Sequence, residues 1–260
     1  MKLKVYIVNA FTEEKFGGNP AAIVPLKTWL SEKTMQQVAA QNNLSETAYF
    51  VPQGEDYEIR WFTPTVEVDL CGHATLAAAH VLYDHLGYNR GQIIFHSRSG
   101  PLGVSREGNQ YTLDFPSKEP VETGNDELID KALGLRPRHL YKSAFDYMAV
   151  FENQAEVEAL KPDFNILKNH ASRGLIVTAK GDQTDFVSRC FYPQSGIDED
   201  PVTGSAHVVM VPYWAKQSGK NTFTAIQLSA RKGYLNCKLT GDRVLISGHA
   251  VTYLEGEFYL

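Results

Sequence analysis

Two short runs in this chain place a glycine beside residues able to handle an anion or a proton: Cys71-Gly72-His73 and Thr203-Gly204-Ser205. At the start of a helix, such a run offers backbone N–H groups and the positive end of the macrodipole, and the glycine lets a ligand approach the backbone closely. A carboxylate is the natural guest. For a single run, ordinary helix capping competes with that reading. The two runs, however, end a longer duplication. Arg60-Trp61-Phe62-Thr63-Pro64 precedes the first and Arg189-Cys190-Phe191-Tyr192-Pro193 the second, each followed by an acidic loop containing Glu67 and Asp69 or Glu199 and Asp200. Capping alone has no need of a repeated lead-in. The duplication therefore points to two similar lobes whose matching ends face one cleft and share a ligand.

Of the nearby histidines, His73 follows a glycine at the ligand end and is a better candidate than His207. Asp69, Glu199 and Asp200 read either as first-turn acids complementing the helix dipole or, for Asp200 beside the rigid Pro201, as a group holding a polar ligand or tuning a proton donor. Cys71 at a helix start has the setting of a nucleophile or base. A two-thiol proton-transfer site needs a second cysteine opposite it, and the repeat places Thr203 there, so Cys71 reads as structural. From residue type alone, Glu46 in Asn43-Leu44-Ser45-Glu46-Thr47-Ala48 is a solvated carboxylate in a turn between a helix and a strand.

These residues need elements to hold them. Alternating Leu3, Val5 and Ile7 predict a half-buried strand over residues 3–10, broken by Gly17-Gly18-Asn19-Pro20. A strand follows over 21–25, then a helix capped by Ser31 with Met35, Val38 and Ala39 at helical spacing and Asn42-Asn43 at its end. Strands over 48–51 and 57–62 lead to a helix from about Gly72 to His85 closed by Gly87, and strands over 92–96, 102–105 and 110–115 complete the first lobe. Residues 116–125, rich in Pro, Gly, Ser and charge, read as a linker, which sets the lobes at 1–118 and 119–260. In the second lobe a short helix over 126–133 precedes strands over 147–151, 175–179 and 185–192. The run Ala206 to Trp214 is its main helix, kinked or shortened by Pro212.

The chain has 260 residues, 43% apolar and 21% charged, which suits a folded globular protein of two lobes of roughly 125 residues each. A net charge of −5 with scattered Lys and Arg argues against nucleic acid as a partner. No apolar stretch approaches the roughly 20 residues that span a bilayer, and the N-terminal apolar run is too brief for a signal peptide, so a cytoplasmic protein without a membrane partner is expected. Cys71, Cys190 and Cys237 are odd in number and far apart, which speaks against disulfides and a structural metal.

Four stretches together resemble the PhzF-like phenazine-biosynthesis family, relatives of diaminopimelate epimerase. They are Asn9-Ala10-Phe11 with Gly17-Gly18-Asn19-Pro20-Ala21-Ala22, Asn43 to Ala48, Arg60 to Pro64 with Asp69 to Thr75, and Gly196 to His207. The resemblance implies an α+β fold of two pseudo-symmetric lobes, each a β-barrel-like sheet around a central helix, with the last strand, near 257–260, returning to the first lobe. It also implies a homodimer and a small carboxylate substrate; no cofactor and no metal are expected. In the epimerases each lobe supplies a cysteine before a glycine. This chain keeps Cys71 and has Thr203 opposite, as in the PhzF-like branch, where the residue matching Glu46 is the acid/base. Gly18, Asn19, Gly72, His73, Asp200, Gly204 and Ser205 then fall at substrate-binding positions. The expected activity is a cofactor-independent isomerisation by single-base proton transfer on a carboxylated, unsaturated substrate. The alternatives are a non-catalytic binder of small carboxylates and a cysteine-dependent racemase or epimerase using Cys71.

Overall fold

The computed structural model describes residues 1–260, which form two compact units: Met1–Asp114 with Ser247–Leu260, and Phe115–Ile246. The chain opens with β1 (Lys2–Ala10), β2 (Asn19–Pro25), α1 (Glu32–Asn42), β3 (Glu46–Gln53), β4 (Asp56–Phe62), β5 (Glu67–Val68), α2 (Gly72–Asp84), β6 (Ile93–Ser97), β7 (Gly100–Glu107) and β8 (Gln110–Pro116). It continues with β9 (Val121–Thr123), α3 (Glu127–Leu133), β10 (His139–Lys142), β11 (Asp146–Val150), α4 (Gln154–Ala159), α5 (Phe164–Leu167) and β12 (Gly174–Lys180). Last come β13 (Phe186–Tyr192), β14 (Ile197–Asp200), α6 (Gly204–Ser218), β15 (Thr222–Gln227), β16 (Gly233–Thr240), β17 (Arg243–Gly248) and β18 (Ala250–Tyr259). The class is α+β, as expected.

The duplication extends well beyond the repeated motif. In the first unit β1 runs antiparallel to β2, β2 parallel to β3, β3 antiparallel to β4, and β4 antiparallel to β5 and parallel to β6. The second unit repeats that order with β10, β11, β12, β13, β14 and β15. Its β10 also pairs with β9, and in the first unit β18 pairs with β1 from Lys2↔Tyr259 to Ala10↔Ala250.

Strand β1 corrects one expectation. Its deeply buried residues are Tyr6, Val8, Asn9 and Ala10, while Leu3 and Val5 pack against a cluster built around Met35, Val38 and Tyr49. Both faces are covered, so simple alternation understates its burial. Helix α1 follows the pattern read for it: Ser31 Oγ accepts the Thr34 N–H at 3.1 Å, and Asn43 ends the helix in a left-handed conformation.

Helix α2 is buried without a break from Gly72 to Leu82 and packs against β1, β2, β3 and β18. A helix apolar on all sides belongs inside a sheet, and its many alanines let the strands approach closely. Helix α6 is likewise buried from Ala206 to Tyr213. At 15 residues it is longer than α2 at 13, so Pro212 does not shorten it. The proline ring cannot donate to Val208 O, and that carbonyl instead accepts the Lys118 N–H at 3.0 Å. No helix is long and apolar enough to cross a membrane.

Candidate active site

Glu46 opens β3, where the parallel ladder sets it opposite Ala21 of β2. Its side chain is 13% exposed, and Oε2 lies 3.1 Å from Nε2 of His73, the second residue of α2. Both atoms are buried and neither forms a hydrogen bond, so two polar groups lie close together with unmet bonding capacity. The expected solvated turn carboxylate is thus a sheltered one at a strand end. The turn at Asn43 delivers it directly into the ladder beside β2.

Asn19, the first residue of β2, holds the other side of the ring through Nδ2, 3.2 Å from His73 Nδ1. Gly18 makes that placement possible: its φ is +62°, and a Cβ there would stand 2.2 Å from Ala10 O. Gly18 therefore shapes the turn that delivers Asn19. Cys71 Sγ lies 3.5 Å from the same Nδ1. In the neutral ring this amide orientation makes Nδ1 the acceptor and places the proton on Nε2, facing Glu46; in the protonated ring both nitrogens donate and the amide turns over.

Burial opposes charge on His73, but the Cys71 sulfur and the Glu46 carboxylate outweigh it and raise its pKa well above 6.5. Burial first, then Glu46, pushes the Cys71 thiol up to about 11, so the sulfur keeps its proton near neutrality. Near neutrality the pull on His73 is therefore that of Glu46.

Neither Cys71 nor Thr203 makes a side-chain capping bond to its helix, so the capping reading fails at both glycine runs. Thr203 instead donates its hydroxyl to Asp200 Oδ2 at 2.5 Å. Gln227 secures this turn, accepting the Thr203 N–H at 2.8 Å and donating to Asp200 O at 2.7 Å. Beside Gly204, Ser205 Oγ lies 3.3 Å from Nη2 of Arg173. Arg173 is held in a fork by the buried carboxylate of Asp146, with Nε at 2.8 Å from Oδ1 and Nη2 on Oδ2.

The repeated Arg and acid outside the glycine runs prove architectural. Arg60 grips Glu67 at 2.6 and 2.6 Å and Arg189 grips Glu199 at 2.8 and 2.9 Å, each clamp tying a strand to the short strand after it. Glu199 is therefore not a first-turn acid, and Asp69 is largely exposed near Arg98. His207 is a core histidine: its Nδ1 donates to Thr203 O at 2.9 Å, and burial lowers its pKa to about 4.

The structure thus brings Glu46, His73, Asn19 and Cys71 together in the first unit, and Asp200, Thr203, Gly204 and Ser205 together in the second. Sequence reasoning missed Arg173, Asp146 and Gln227. The one available signal was the position of Arg173-Gly174 at the start of a strand, as Ser45-Glu46 stands at the start of its own. In register, Gly174 faces Asp146 as Glu46 faces Ala21, so the second copy carries glycine where the first carries its carboxylate.

This fold and this cluster define a duplicated α+β protein with a carboxylate, an imidazole and a thiol gathered at one helix start. The model of the PhzC-PhzF family, phenazine biosynthesis-like protein, matches residues 8–256, and the chain belongs to that family. It is 49% identical over 260 residues to an uncharacterized isomerase of Pseudomonas aeruginosa, with both chains fully covered. A phenazine biosynthesis-like domain-containing protein of Homo sapiens is 39% identical over 284 residues, covering 98% of this chain and 99% of its own. The crystal structure of a PhzF family protein from Enterococcus faecalis superimposes with a TM-score of 0.97 at 45% identity, covering all of both chains. A hydroxyproline epimerase from Agrobacterium vitis, at 8% identity and a TM-score of 0.65 over 98% of this chain and 92% of its own, shares the fold alone.

Proposed function

We propose that the protein is a cofactor-independent isomerase that moves a proton on a small carboxylated, unsaturated substrate, with Glu46 as its single acid/base. The observation that carries this reading is the sheltered carboxylate of Glu46, 3.1 Å from His73 Nε2, with glycine at the matching register of the second copy. A carbon made acidic by a neighbouring carboxylate or double bond gives its proton to Glu46, and the electron pair moves into the conjugated system. Glu46 then returns the proton to another carbon on the same face, base in one step and acid in the next. His73, fixed by Asn19, orients the carboxylate. The helix starts at Gly72 and Gly204, with Asp200 and Ser205, hold the substrate's anionic and polar groups. Relatives named as isomerases support the reaction class.

A second reading, a cysteine-dependent epimerase, draws support from Cys71 Sγ at 3.5 Å from His73 Nδ1. Against it, the matching residue is Thr203, whose hydroxyl is engaged by Asp200. Solvent deuterium exchange into a panel of small unsaturated carboxylates tests the proposal. Exchange that survives in Cys71→Ser and disappears in Glu46→Gln supports the first reading, and the reverse pattern supports the second. A homodimer and a cytoplasmic location complete the proposal; sedimentation velocity and cell fractionation check them.

A further inference from the structure

We propose that Glu46, Cys71 and His73 form a binding site for one thiophilic divalent cation, with Zn2+ the ion that fits. They offer one carboxylate oxygen, one sulfur and one imidazole nitrogen, all within 4.8 Å of one another. Glu46 Oε2 and His73 Nε2 are buried, without hydrogen bonds, and 3.1 Å apart. Two ligands at about 2.0–2.1 Å around a tetrahedral zinc stand roughly 3.3 Å apart, close to that separation. Cys71 Sγ lies 3.5 Å from the ring's other nitrogen, and one ligand atom of each of the three side chains falls within 4.8 Å of the rest.

Charge and ligand softness select the ion. A carboxylate, a thiolate and a neutral imidazole cancel the charge of Zn2+, so the loaded cluster is formally neutral where burial penalises net charge most. On binding, the Cys71 S–H bond and, in the protonated ring, the His73 Nε2–H bond break, the protons leave to solvent, and S–Zn and N–Zn bonds form with no change of oxidation state. Mg2+ and Ca2+ want six or more oxygens and reject thiolate. With the metal on Nε2 the ring proton moves to Nδ1, and the Asn19 amide, turned over, presents its carbonyl oxygen as outer partner. Three protein ligands leave a fourth position open. An ion held there occupies the Glu46 oxygen that takes up the proton and so silences the site; that consequence, unlike the binding, rests on Glu46 being the acid/base.

Binding is read without turnover. Metal-free full-length protein is titrated with Zn2+ against a chromogenic chelator, with one equivalent expected at a Kd below about 1 µM. Cys71→Ser and His73→Gln each weaken binding by at least about 10²-fold, whereas Cys237→Ala, at a buried cysteine remote from this cluster in sequence, leaves it unchanged. Co2+ in place of Zn2+ gives a thiolate-to-metal charge-transfer band that decides the matter in the parent protein even if a variant fails to fold. Absence of a saturable equivalent, absence of that band, binding untouched in folded Cys71→Ser, or displacement by millimolar Mg2+ overturns the site.

Discussion

Glu46 and Gly174 are register equivalents: each opens the strand that lies parallel to its predecessor, one step before the pairs Thr47↔Phe62 and Leu175↔Phe191. No second carboxylate therefore stands at the matching place. A side chain at 174 would meet the Tyr192 ring, since a Cβ there would lie 2.2 Å from its Cδ1. The division of labour between the copies is built into the packing.

It follows that loss of Glu46 should be deep. Glu46→Gln keeps shape and size while removing the proton acceptor, and kcat should fall by about 10² to 10⁴ with KM changed little. Steady-state kinetics on a substrate found by deuterium exchange checks this. Turnover within a few-fold of the parent would sink the assignment.

The two helix starts should act through affinity. Gly72→Val and Gly204→Val each put a branched side chain where a substrate anion would meet backbone N–H groups, and KM should rise about tenfold or more while stability changes less. An unchanged KM in either folded variant would remove that helix start from substrate binding.

Acid should destabilise the protein through two buried histidines. Burial lowers His80, and likewise His207, to about 4, below the ordinary value of 6.5. Between those values the unfolded chain binds protons that the folded chain refuses. The contribution of these two groups is therefore full above about pH 6.5 and is lost as the pH drops toward 4, by up to roughly 3 kcal/mol per histidine. Urea midpoints at several pH values measure this, and His207→Gln should flatten the slope. A midpoint that holds steady down to pH 4.5 would contradict it.

Asp146 depends on Arg173. The carboxylate is 2% exposed and lies in the guanidinium fork, so Arg173→Met leaves a buried charge without its partner and should destabilise by about 3 kcal/mol. Adding Asp146→Leu should recover much of that loss. If denaturant titration finds the single variant as stable as the parent, Asp146 has another source of compensation.

Much of this was legible in the chain. Ser31 and Asn43 marked the ends of α1, and the largely apolar run after Gly72 marked a helix, α2. The repeated Arg-x-Phe-x-Pro correctly signalled two copies of one topology, although its arginines turned out to clamp Glu67 and Glu199 rather than to serve a ligand. Proximity created across the sheet was not legible. Glu46 lies 27 residues before His73 in the chain, and only the parallel pairing of β2 with β3 brings Asn19 and Glu46 to the start of the same helix. The fate of Val208 O was equally hidden, because its donor, Lys118, belongs to a segment read as a linker.

The pairing of β1 with β18 also bears on the order in which the molecule can be completed during synthesis. Lys4 meets Glu255 across 251 residues of chain. Strand β1 leaves the ribosome about that many residues before its neighbour on that side. Until then the edge of β1 later covered by β18 presents open backbone groups, an invitation to pair with other nascent chains. The unit that contains β1 must therefore wait, partly assembled, while the intervening residues are made. Cells short of chaperones would be expected to lose this protein to aggregation, and strand-to-strand contacts of such long reach should make its refolding slow.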